Sequence, residues 1–128
     1  LSFEQLEHSL REKPRKVFID FYTDRCGYCR KMDKLVFTKP EVIQLLNEEY
    51  YAVRFDAETD STVVFDGQAF VNDQIKTSRT PLHQIAQLLA LRDGQFSAPT
   101  LLVLDPEFNV TARYFQYKKS NTLIKALE

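Results

Sequence analysis

Two cysteines are the whole thiol complement of this 128-residue chain, and they stand together as Cys26-Gly27-Tyr28-Cys29. The run before them, Val17-Phe18-Ile19-Asp20-Phe21-Tyr22, is apolar on both alternating faces except for Asp20, which predicts a strand inside a covered sheet. After them Met32, Leu35 and Val36 recur at helical spacing, which predicts a helix starting at or just before Cys29. A Cys-x-x-Cys at such a junction has a specific chemical use. The first sulfur meets the free N–H groups and positive dipole end of the helix, which favour a thiolate. One helical turn brings the second sulfur within reach of a disulfide. Cys26 is therefore the expected exposed nucleophile and Cys29 the more buried resolving thiol. Arg25, Arg30 and Lys31 add positive charge that is expected to push the Cys26 pKa further down.

Two other readings of the pair stay open on the residues alone. Half a zinc site would need two further ligands, and only His8 and His83 exist, neither clustered with the cysteines. Both histidines are expected at helix surfaces, so no metal is expected. A purely structural disulfide would close too short a loop to stabilise much. Asp20 carries the second chemical signal. A carboxylate inside an apolar strand is costly unless neutral or paired, and desolvation would raise its pKa. It lies in the strand that feeds Cys26, where it could take the proton from Cys29 when that thiol attacks a mixed disulfide.

These residues need elements to position them. Ser2 and Gln5 fit a capping box ahead of a short helix carrying Phe3, Leu6 and Leu10. Pro14 ends that stretch. Pro40 separates the helix after Cys29 from a second helical piece running to Asn47, and Tyr51–Asp56 alternates as a strand. Thr62-Val63-Val64-Phe65 before Asp66-Gly67 opens a hairpin. Thr80-Pro81 reads as N-cap and first turn of a helix over Leu82–Leu91, closed by Gly94. Pro99–Leu104 is a buried strand, Asp105–Asn109 a turn, and Val110–Tyr117 the partner strand. Ser120 is the expected cap of a last helix. The order gives one α/β domain over residues 1–128 with a mixed sheet, whose last two strands are antiparallel because their connection is too short for a crossover.

Composition narrows the function classes. Hydrophobic residues at 44% and charged residues at 27% describe an ordinary globular domain. Seventeen basic against 18 acidic residues leave a net charge of −1, which argues against nucleic acid as a partner. No apolar run approaches the roughly 20 residues of a membrane helix. The chain starts at Leu1, so processing or trimming is expected, with any signal peptide or lipid anchor removed alongside.

Phe18-Ile19-Asp20-Phe21-Tyr22, Cys26-Gly27-Tyr28-Cys29 and Ala98-Pro99-Thr100-Leu101, in that order, resemble the thioredoxin superfamily over nearly the whole chain. Tyr22–Asp33 and Val36–Val42 look like bacterial exported proteins of the disulfide-handling kind. The resemblance implies the thioredoxin fold: a central mixed sheet, helices on both faces, and here an insertion over about residues 57–97 whose helix precedes the cis-proline strand. It implies Cys26 as attacking thiolate, Cys29 as resolving thiol and Asp20 as the buried acid. Pro99 matches the family's cis-proline, leaving the Ala98 backbone free to pair with a substrate chain. Arg25, Gly27, Tyr28, Ala98, Pro99 and Thr100 are thus the expected substrate-binding residues.

Departures from the pattern matter as well. Arg25 stands where thioredoxins usually carry tryptophan, which points towards acidic or polar partners. Ala52 corresponds by resemblance to the family's lysine near the buried acid, with Arg54 close by in sequence. Gly27-Tyr28 resembles the dipeptide of periplasmic disulfide isomerases. The expected function is a protein thiol–disulfide oxidoreductase, a reductase or isomerase. It would need no cofactor, act on protein disulfides or thiols, exchange electrons with a partner redox protein, and work in the periplasm or another exported compartment. The rival is a redox-inactive or narrow-specificity binding module or chaperone on the same fold, favoured by Arg25 and the insertion.

Overall fold

The computed structural model describes residues 1–128 in full. The chain runs α1 (Phe3–Glu12), β1 (Lys16–Tyr22), α2 (Gly27–Leu35), α3 (Pro40–Glu49), β2 (Tyr50–Asp56), β3 (Val63–Phe65), β4 (Gln68–Phe70), α4 (Gln84–Leu89), β5 (Thr100–Leu104), β6 (Val110–Tyr114) and α5 (Ser120–Leu127). The apolar character of β1 and β5 on both faces places them inside a four-stranded sheet of order β2-β1-β5-β6. β2 pairs with β1 in parallel, and β5 pairs antiparallel with both β1 and β6. The antiparallel step sets Thr100, at the start of β5, opposite Phe21, near the end of β1. The chain before β5 and the junction after β1 therefore meet at one end of the sheet.

Alternation along β1 divides the core. Val17, Ile19 and Phe21 pack on one side with Phe3 and Leu6 of α1, Phe55 of β2 and Ile85 of α4. Phe18 packs on the other with Met32, Val36, Val42, Leu46, Leu123 and Leu127, from α2, α3, α5 and the turn after α2. Asp20 shares its alternation with Phe18, so its side chain belongs to the face that α2 covers. The expected helices on both faces of a mixed sheet are present. No helix is long and apolar enough to cross a membrane.

The capping box forms as read: Ser2 Oγ accepts from the Gln5 N–H, and the Gln5 side chain accepts from the Ser2 N–H. Ser2→Ala is expected to cost about 1 kcal/mol in urea unfolding, and an unchanged midpoint would show that α1 is held by packing alone.

Four local expectations are corrected. The inserted helix starts at Gln84, not Leu82, because His83 rather than Thr80 caps it, its Nδ1 accepting from the Ile85 N–H at 3.1 Å. Gly94 does not close that helix. With φ of 78° beside Asp93 at 52°, it makes a two-residue turn in which Arg92 and Gln95 exchange backbone hydrogen bonds. Ser120 is the first residue of α5, whose N-cap is Lys119, and it makes no cap bond. The last strand ends at Tyr114 rather than Tyr117. Two expected positions also differ in burial. Leu35 lies on the exposed side of α2, and His83, expected at a surface, is fully buried. Its Nε2 lies 2.9 Å from the Ser61 carbonyl and its ring meets Phe55 edge-on, while burial holds its pKa below the usual value. His83 thus ties the insertion to the sheet; His8 is exposed as expected.

Candidate active site

The helix expected to start at or just before Cys29 starts at Gly27. Cys26 is the N-cap of α2, and its Sγ accepts from the Cys29 N–H at 3.0 Å. Cys26 and Cys29 are joined in a disulfide with their Cα atoms 5.2 Å apart. Cys29 is 4% exposed while Cys26 is half-buried, so an incoming group reaches the first sulfur and not the second. Gly27 is exposed, and a Cβ there would meet nothing within 4 Å, so space does not demand glycine. Tyr28, 62% exposed, leans on Tyr117 at a centroid distance of 6.1 Å, and the Lys31 ammonium sits over the Tyr117 ring. Tyr117 lies in the loop before α5, and no sequence signal marked it.

The expected free cations around Cys26 are engaged elsewhere. Arg25 makes a two-toothed ion pair with Glu58, at 2.8 and 2.9 Å, and donates to the Arg79 carbonyl. Arg30 donates to the Asp24 carbonyl. Arg25 is therefore paired, while Arg30 and Lys31 keep their positive charge beside the cysteine loop, and the preference for acidic partners read from Arg25 loses its basis. Glu58 escaped notice because its partner lies 33 residues away in sequence. A tertiary turn, not a periodicity, brings them together.

Asp20 is buried at 6% exposure. In the parallel register of β1 and β2 its neighbour is Arg54, whose Nε lies 4.0 Å from the Asp20 carboxylate. Arg54, not Ala52, is thus the cation beside the acid; Ala52 sits opposite Phe18. The same guanidinium is gripped by the Asp33 carboxylate and lies over the Tyr22 ring at 3.9 Å. Burial pushes the Asp20 pKa up to about 7, the Asp33 charge adds to the rise, and Arg54 opposes it. Asp33 follows Cys29 by one turn, on the same side of α2. The column carrying Cys29 and Asp33 therefore faces the acid of β1. A cavity of about 160 Å³ is lined by Asp20, Asp33 and Arg54.

The Ala98–Pro99 bond is cis. Neither the N–H nor the C=O of Ala98 takes part in a hydrogen bond, since the β1–β5 ladder ends at Thr100. Thr100 is fully buried and donates from Oγ1 to the Ser97 carbonyl at 2.6 Å, which makes it a brace for this turn rather than an open contact. Ala98 lines one cleft with Thr23 and Arg25, so the turn before β5 and the start of the cysteine loop share a surface.

Comparison with known proteins places these features in context. A family model described as a thioredoxin-like domain matches residues 3–128. No curated protein matches. Among solved structures, a thioredoxin from Thermus thermophilus is 20% identical with a TM-score of 0.67, covering 97% of this chain and 78% of its own. The reduced C-terminal domain of DsbD from Neisseria meningitidis is 19% identical with a TM-score of 0.65, covering 97% and 89%. A disulphide isomerase from Xylella fastidiosa is 12% identical with a TM-score of 0.63, covering 98% and 88%.

Proposed function

The chain belongs to the thioredoxin-like domain family, and on that premise we propose that it is a thiol–disulfide oxidoreductase that reduces or isomerises protein disulfides. The observation that carries the reading is the asymmetry of the pair: a half-exposed Cys26 at the N-cap of α2 and a buried Cys29 one turn on. In the reduced protein the Cys26 thiolate attacks a substrate disulfide, forms a mixed disulfide and expels one substrate thiolate. Asp20 accepts the Cys29 proton, and the Cys29 thiolate then attacks Cys26 Sγ. That step forms the Cys26–Cys29 disulfide and releases the second substrate thiol. Two electrons pass to the substrate, and a partner redox protein returns them with two protons. Arg25, Gly27, Tyr28, Ala98, Pro99 and Thr100 form or brace the surface that receives the substrate, with Ala98 offering its free backbone groups. The resemblance of Tyr22–Asp33 to exported disulfide-handling proteins supports work in the periplasm or a similar compartment.

The test is equilibration with glutathione buffers, alkylation of free thiols and measurement of mass, since the chain has no tryptophan to report fluorescence. With Arg25 neutralised by Glu58, the couple is expected on the reducing side of about −180 mV, towards the thioredoxin value near −270 mV. A pair that never closes to the disulfide at any poise would overturn the reading and return the binding-module alternative.

A further inference from the structure

A cleft of about 630 Å³ opens beside Ala98 and Arg25. Its size falls in the range of ordinary ligand sites. One wall is the turn before β5, including Gln95 and Phe96; the other is the inserted segment, including Thr80 and Gln87. We propose that this cleft is a substrate subsite, built by the insertion, that holds the uncharged polar stretch of polypeptide flanking the reacting cysteine of a protein substrate. The inference rests on the oxidoreductase reading and adds to it which disulfides the protein selects.

Three observations carry it. The cleft borders the reacting centre: it is lined by Arg25, the residue before Cys26, and by Ala98, the residue before the cis-proline. Its end at Ala98 offers an unpaired N–H and C=O, the groups an extended chain needs to extend a ladder. Its inserted wall is already ordered. Gln74 Oε1 accepts from the Leu82 N–H at 2.9 Å, the Asn72 amide donates to the Pro81 and Thr59 carbonyls, and the Gln87 amide donates to the Leu82 carbonyl and Asp73. A wall fixed in advance costs little entropy on binding.

Charge decides the class of occupant. Arg25 and Glu58 are the only charged residues lining the cleft, and they satisfy each other. A small disulfide bearing carboxylates finds no spare cation there. The other lining groups are hydroxyls, carboxamides and a few apolar side chains, which suit a neutral, polar peptide.

The experiment compares the full chain with Thr80→Trp and Gln95→Trp, one on each wall and both at exposed positions. Initial rates are measured with insulin, with oxidised glutathione and with neutral hydroxyethyl disulfide. Each tryptophan narrows the cleft, and the expected result is a roughly tenfold fall in the insulin-to-hydroxyethyl-disulfide ratio of kcat/KM, expressed in KM. An unchanged ratio in both variants overturns the subsite while leaving the oxidoreductase reading intact. Wild type that prefers oxidised glutathione to insulin, with that preference lost in the variants, overturns the polypeptide as occupant. Wild type inert towards all three disulfides overturns the function, and the inference with it.

Discussion

Cys26→Ser is expected to bring the reduction of a protein disulfide down to the uncatalysed rate, a loss of roughly 10³-fold or more, the scale of removing a covalent nucleophile. Cys29→Ser should behave differently. Its Cys26 remains at the N-cap of α2, half-exposed, so the first attack proceeds. Without the buried partner thiol the mixed disulfide cannot resolve from within, and it accumulates in stoichiometric amount. Non-reducing mass measurement reads it directly as protein plus one substrate thiol. The contrast follows from burial: a bulky disulfide can approach Cys26 and cannot approach Cys29 at 4% exposure. If Cys26→Ser forms the adduct and Cys29→Ser does not, the two roles are reversed.

The second large effect belongs to Asp20, and its sign can be worked out. The ordinary carboxyl value is 3.8 and the folded value is about 7. Below about pH 4 the acid is protonated in both the folded and unfolded chain, and it makes no difference to stability. As pH rises from 4 to 7 the unfolded chain releases this proton while the folded chain keeps it, so stability falls by about 1.4 kcal/mol per unit. Above pH 7 the accumulated penalty is about 4 kcal/mol. Asp20→Asn cannot ionise and escapes it. The variant should therefore be more stable than wild type at pH 8 by up to about 4 kcal/mol, with the difference closing towards pH 4. Urea unfolding at the two pH values measures this.

The same substitution should slow the reaction. A carboxyl titrating near neutrality is matched to take the Cys29 proton at the resolving step. Asp20→Asn is expected to slow resolution by roughly 10²-fold, the scale of one general base, while the first attack of Cys26 stays unaffected. Quenched-flow samples should show the mixed disulfide building up, and the inflection of the resolution rate near pH 7 should vanish. A more stable variant with an unchanged resolution rate would leave Asp20 as a buried acid with no part in proton transfer. Arg54 and Asp33 give a finer handle on the same group. Because Asp33 also grips the guanidinium, Arg54 only partly offsets the burial of Asp20.

Much of the site could be read from the chain itself, because its signals are local. Cys26 and Cys29 are one helical turn apart, so their pairing and their place at a helix start depend on a few neighbours. Asp20 announces its burial by standing in a strand apolar on both faces. The Ser2–Gln5 capping box and the Asp66-Gly67 hairpin, where φ is 53° and 72°, are likewise contained within a few residues. The cis bond before Pro99 was an expectation of resemblance rather than of spacing, and the backbone adopts it.

Other features required the folded chain. Arg54 meets Asp20 only because β1 and β2 pair in one parallel register; a slip of two residues would have brought Ala52 there instead. Arg25 looked like a free cation until the chain after β2 carried Glu58 to it. His83 was expected at a helix surface, yet the path of the insertion buries it against Phe55 and Ser61. The cleft beside Ala98 has walls from segments distant in sequence and no motif of its own. Local residue patterns determined the elements and the reacting pair, since their interactions span one turn or one hairpin. The charge state around that pair and the surface offered to a substrate were decided by tertiary structure, because they arise where strand register and loop path bring distant residues within a few ångströms.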